Sequence, residues 1–108
     1  MNNPKIKMYI TDYGTITAEL YPEKAPKTVE NFLSLIENHF FDGLIFHRVI
    51  RGFMIQGGGF YPDFSHKDAP SIHGEFIANG CMFNDLKHTR GTLSMARTSD
   101  PDSASSQF

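Results

Sequence analysis

Phe46-His47-Arg48-Val49-Ile50-Arg51-Gly52-Phe53-Met54-Ile55-Gln56-Gly57-Gly58-Gly59-Phe60 sets cations, a carboxamide and large apolar side chains within a few positions, then a run of glycines. Residues two apart on a strand share a face. Read as strands over 46–49 and 53–56, the segment puts Phe46 with Arg48 on one face, and Met54 with Gln56 on one face of the next strand. A strand–turn–strand of this kind builds a small surface with an apolar floor, a fixed guanidinium and an amide. That equipment suits gripping an apolar group while polarising the peptide bond beside it.

Upstream, 6–10 and 15–20 are rich in β-branched and aromatic residues, and Asp12-Tyr13-Gly14 between them is a turn signal, so a hairpin is expected. Tyr21-Pro22-Glu23-Lys24-Ala25-Pro26 breaks the sheet, and Pro26 suits a first helical position. Val29, Phe32, Leu33 and Ile36 then follow at helical spacing, which predicts an amphipathic helix of about three turns covering one apolar surface. Phe40-Phe41-Asp42-Gly43 closes it, with the glycine expected at positive φ.

A second strand pair is expected over 44–50 and 53–56, joined around Arg51-Gly52, and an irregular loop over 57–74. Long loops in small domains are usually functional or mobile. Residues 75–84 carry no clear signal. A turn over 86–91 leads to a further expected strand, 92–96, and 98–106 is a polar loop with Asp100-Pro101-Asp102 as its turn chemistry.

A chain of 108 residues is expected to form one domain, and its 40% hydrophobic and 13% aromatic content, with ten Phe, is enough for a core. The net charge of −2 gives no reason to expect nucleic acid or an anionic membrane as partner. Cys81 is the single cysteine, which excludes an intrachain disulfide and suits a reducing compartment. No run reaches the ~20 apolar residues of a membrane span, and no signal-peptide pattern opens the chain, so a cytoplasmic location is expected.

Four blocks, in order, resemble the cyclophilins, the peptidyl-prolyl cis–trans isomerases, with the flavour of bacterial single-domain members. The first is 46–60, the family's most specific motif. The second is Thr92-Leu93-Ser94-Met95-Ala96-Arg97, preceded by Lys87-His88-Thr89-Arg90-Gly91. The third is Ser103-Ala104-Ser105-Ser106-Gln107-Phe108, and a weaker fourth is the helix entry Ala25-Pro26-Lys27-Thr28-Val29-Glu30-Asn31-Phe32.

The resemblance implies a mainly β fold, a closed antiparallel barrel capped by helices, and catalysis of rotation about Xaa-Pro bonds in protein folding. Arg48 matches the catalytic arginine, and Phe53 and Met54 match the proline pocket. Gln56 and Gln107 match groove glutamines, and Ala96 and Arg97 match the backbone-contacting edge, where many eukaryotic members carry Asn in place of Arg97. The partners implied are proline-containing segments of client proteins, with cyclosporin-like ligands a further candidate; no cofactor or metal is implied.

Family members continue beyond the position of Phe108 with more strands, a second helix and further pocket residues. Residues 1–108 are therefore expected to be a partial domain, truncated at the C-terminal side, whose barrel is left open. The alternatives are a non-catalytic module that binds proline peptides, or an inactive fragment of an isomerase.

Blander readings stand beside these. Arg48 could be a barrel-surface arginine in a salt bridge, and Phe53 and Met54 could be core. Gly57-Gly58-Gly59 lacks the Lys-Ser/Thr of a phosphate loop and instead frees the backbone for a bend beside the groove. His39, His47, His66, His73 and His88 show no zinc-site spacing, and His47 is expected opposite Arg48 as a structural residue.

Overall fold

The computed structural model describes residues 3–72, 74, 87, 89–100 and 102–108. Cys81, His73 and His88, and all of the unplaced 75–84 stretch, lie outside the described residues. Among the described residues, two antiparallel two-stranded sheets and one helix make up the regular structure, in the order β1 (Lys5–Ile10), β2 (Gly14–Glu19), α1 (Pro26–Glu37), β3 (Arg48–Ile50) and β4 (Met54–Gln56).

The first sheet is the expected hairpin, with Ile10 opposite Gly14 and Ile6 opposite Ala18. Asp12 at φ 67 and Gly14 at φ 97 turn the chain, both residue types that tolerate the left-handed region. Alternation then sorts the side chains. Ile6, Met8 and Ala18 face the core, whereas Lys5, Lys7 and Tyr9 are exposed.

Helix α1 begins at Pro26, as its spacing predicts, and buries Val29 and Phe32. Its end differs from expectation. The left-handed residue that stops the helix is His39, at φ 57, and Gly43, at φ 80, serves the following turn. The His39 amide donates to the Ile36 carbonyl (3.0 Å) and the Phe40 amide to the Leu35 carbonyl (2.9 Å), the paired closure of a Schellman motif. Asp42 helps hold the unusual residue, its Oδ2 lying 3.1 Å from His39 Nδ1.

Ile6, Leu20, Val29 and Phe32 are the core, with Phe41 and Phe108 packed against it. Phe108 joins it from far along the chain, edge-on to Phe32 (5.4 Å), Phe41 (5.6 Å) and Phe46 (6.0 Å) between ring centres. Such aromatic pairs add about 0.5–1.5 kcal/mol each beyond area burial. The hairpin, the helix and the 89–97 stretch border a recess of about 750 Å³.

Two expectations need correction. The second strand pair is shorter than 44–50 and 53–56, and 92–96 forms no strand. Residues 44–47 stand outside the strand, with Phe46 packed on Phe108 and the Ile45 amide donating to the Phe60 carbonyl (3.0 Å). In 92–96 the Ala96 amide bonds the Gln107 carbonyl (2.9 Å), without the repeated pairing a ladder needs among the described residues.

Candidate functional site

The short second sheet settles how its side chains share a surface. Arg48 stands directly opposite Gln56, and Ile50 opposite Met54, so all four lie on one face, with Val49 and Ile55 on the other. The turn between the strands is closed by the Phe53 amide on the Ile50 carbonyl (3.0 Å), with Gly52 at φ 77. It leaves the Phe53 ring 75% exposed, and Met54 half-buried. The Arg48 guanidinium is exposed and makes no hydrogen bond or ion pair among the described residues. The salt-bridge reading of Arg48 therefore finds no partner there.

Immediately after β4 the chain pairs with its distant end. Gly57 and Phe108 exchange two backbone hydrogen bonds, each 3.0 Å. Two of the three glycines, Gly58 and Gly59, answer to this approach, whereas Gly57 is crowded by Phe46 and the Ile45 carbonyl. A Cβ on Gly58 would stand 2.7 Å from the Ser106 carbonyl oxygen, and one on Gly59 2.6 Å from Gln107 Cγ. Gly58 also needs its φ of +89. The buried Ser106 hydroxyl then donates to the Gly58 carbonyl at 2.7 Å.

This docking brings Gln107 beside Gln56, whose Nε2 donates to Gln107 Oε1 at 2.8 Å. Gln56, Ala96, Arg97, Thr98, Ser103, Ser105 and Gln107 line a groove of about 210 Å³. Four of the expected site residues thus meet in one groove. Arg48, Phe53 and Met54 do not line it, Arg48 being set beside it as the cross-strand partner of Gln56. Ser105, Thr98 and Ser103 are lining residues that sequence reasoning left in a polar loop. The loop is held by its own bonds, the Ser103 hydroxyl donating to the Asp100 carbonyl at 2.7 Å, and by Asn31 of α1, whose Nδ2 donates to the Ser105 carbonyl at 2.8 Å.

His47 lies behind this surface, its ring 4.4 Å from that of Phe60. Its Nδ1 is buried with no hydrogen-bond partner among the described residues. Burial pushes its pKa below the ordinary 6.5, with the nearness of Arg48 and then of His66 adding to the effect. It packs on Phe60 beside the site.

Residues 5–108 match the family model described as cyclophilin type peptidyl-prolyl cis-trans isomerase/CLD. The chain is 51% identical over 98 residues to a peptidyl-prolyl cis-trans isomerase of Acinetobacter baylyi, covering 91% of this chain and 50% of that protein. It is 50% identical over 98 residues to peptidyl-prolyl cis-trans isomerase B of Escherichia coli, covering 91% and 57%. The crystal structure of cyclophilin AquaCyp293 from Hirschia baltica superposes with a TM-score of 0.63 at 26% identity, over 90% of this chain and 53% of that one. The chain spans about half the length of the curated relatives it matches.

Proposed function

The chain belongs to the cyclophilin-type peptidyl-prolyl cis–trans isomerase family, and from that premise we propose that it carries the catalytic arginine and part of the substrate groove of a prolyl isomerase. The observation that carries this reading is the uncommitted Arg48 guanidinium directly opposite Gln56, itself bonded to Gln107 at the groove wall.

Rotation about an Xaa-Pro bond is slow because amide resonance imposes a barrier of about 18–20 kcal/mol. Twisting the peptide breaks that resonance and returns a lone pair to the prolyl nitrogen. A donor aimed at this nitrogen bonds the twisted state more strongly than either planar isomer, and only such a difference speeds the reaction. Arg48 supplies the donor, with a charge that is never lost and a planar fork. Met54, on the Arg48 face, and Phe53, at the exposed turn, hold the proline ring. Gln56, Gln107, Ala96 and Arg97 position the substrate backbone. No nucleophile, metal or cofactor is required by this chemistry.

The partners in this reading are flexible proline-containing segments of client proteins in the cytoplasm, with cyclosporin-like ligands competing for the same groove. The two sheets and α1 are read as part of a closed barrel capped by helices, of which residues 1–108 are a partial domain. Exchange NMR on a short Xaa-Pro peptide, with this chain and its Arg48→Ala variant, is the test. Acceleration that disappears in the variant supports the reading. Binding without acceleration by the unmodified chain would leave a peptide-binding module in its place.

A further inference from the structure

The Gln56–Gln107 pair does not end at the groove. Gln107 lies over Gly59, and its Nε2 is 3.5 Å from His66 Nε2. On the far side of that imidazole, His66 Nδ1 meets Asp68 Oδ1 at 2.5 Å. Phe60 holds the ring edge-on at 5.1 Å, and residues 60 and 66 form an isolated antiparallel bridge. The structure sets His66 one side chain away from the groove.

Hydrogen-bond valence fixes the direction of this row. Gln107 Oε1 accepts from Gln56, so the Gln107 group facing His66 is its NH₂, which can only donate. His66 Nε2 must then be the bare nitrogen, with the ring proton on Nδ1, where the Asp68 carboxylate accepts it. Every bond in the row therefore runs one way, from Gln56 through Gln107 and His66. Gln56 keeps Oε1 as an acceptor with no partner among the described residues, on the strand position opposite Arg48.

Resting on the isomerase reading of the groove, we infer that His66 is a positioning residue: its acceptor nitrogen, set by Asp68, orients the two carboxamides so that Gln56 turns an oxygen rather than an NH₂ to the Arg48 side. A donor at position 66 reverses both amides in turn. Gln56 then spends its oxygen on Gln107 and presents hydrogens beside a guanidinium and a substrate carbonyl's partner groups. The charged and titratable groups around His66 fit this role. Asp68 faces Nδ1, and His47 lies across Phe60. Lys67 is turned away, its ammonium on the Phe40 carbonyl at 2.7 Å.

Two measurements on the whole chain test this. The nitrogen chemical shifts of His66, taken at a pH above the imidazole range, report which ring nitrogen carries the proton. A proton on Nδ1 and a bare Nε2 are expected; a proton on Nε2 overturns the inference. The second is exchange NMR on an Xaa-Pro peptide with His66→Gln, which keeps an acceptor, and His66→Lys, which offers only donors. His66→Gln is expected to stay within about twofold of the unmodified chain, and His66→Lys to lose about three- to tenfold in kcat/KM at unchanged thermal stability, the range of one exposed hydrogen bond. Equal rates for the Lys variant and the unmodified chain overturn the role. If the unmodified chain gives no acceleration, the isomerase reading fails, while the nitrogen shifts still decide the orientation of Gln107.

Discussion

The Gln107 side chain lies so close to Gly59 that a Cβ there would stand 2.6 Å from Gln107 Cγ and 2.7 Å from its Nε2. Gly59→Ala is therefore expected to push the carboxamide off Gln56 and to cost about 1–3 kcal/mol in stability, the usual range for overpacking. Peptide turnover should drop with it. Gly58→Ala meets a backbone oxygen at 2.7 Å and a positive φ, neither of which can swing aside, so it should cost more. Urea unfolding of both variants checks the order, and a Gly59→Ala chain with normal stability and rate would contradict the contact.

Arg48→Ala is expected to lower kcat by about 10²–10³, the scale of losing one preorganised donor to developing charge, and to leave peptide affinity nearly unchanged. Arg48→Lys should recover little, because a point charge on a flexible stem does not reproduce the planar fork. Steady-state and peptide-titration measurements separate the two parameters. Equal loss of rate and affinity would count against a transition-state role.

Much of this arrangement is legible in the chain. The hairpin follows from alternation and Asp12-Tyr13-Gly14, the helix from Pro26 and the spacing of Val29, Phe32, Leu33 and Ile36, and the Arg48–Gln56 surface from the turn at Arg51-Gly52. What escaped depends on distant partners. The reason for glycine at 58 and 59 is the approach of 106–107, and among the described residues the neighbour that 92–96 finds is Gln107, through Ala96. Local propensity carries no information on either. His39 in the left-handed region was hidden because Gly43, four positions on, gave the stronger turn signal.

Ser106→Ala removes a hydroxyl that is 1% exposed and donates to the Gly58 carbonyl at 2.7 Å. The stranded carbonyl should cost about 1–3 kcal/mol, seen as a lower denaturation midpoint with an unchanged slope. An unaltered midpoint would mean that the carbonyl finds another partner.

His47 should make stability depend on pH in one direction. Its folded pKa is lowered from 6.5, so below that value the unfolded chain takes up the proton first and unfolding is favoured as pH falls. Above it the imidazole is neutral in both states and contributes no slope. His47→Phe, which keeps the stack on Phe60, should flatten the difference between stabilities measured at about pH 7 and about pH 5. A variant with the unmodified slope would show that another group is responsible.

The mutual bonds of Gly57 and Phe108 have a kinetic meaning as well. They join residues separated by almost half the chain, so the entropy of closing that loop must be overcome before the two glutamines can meet. Hairpin and helix form from near neighbours and can come first; the groove cannot. Folding should therefore be slower than local structure alone would set. The Gly57 and Phe108 amides should exchange with solvent together, as one cooperative opening that undoes the substrate surface in a single event.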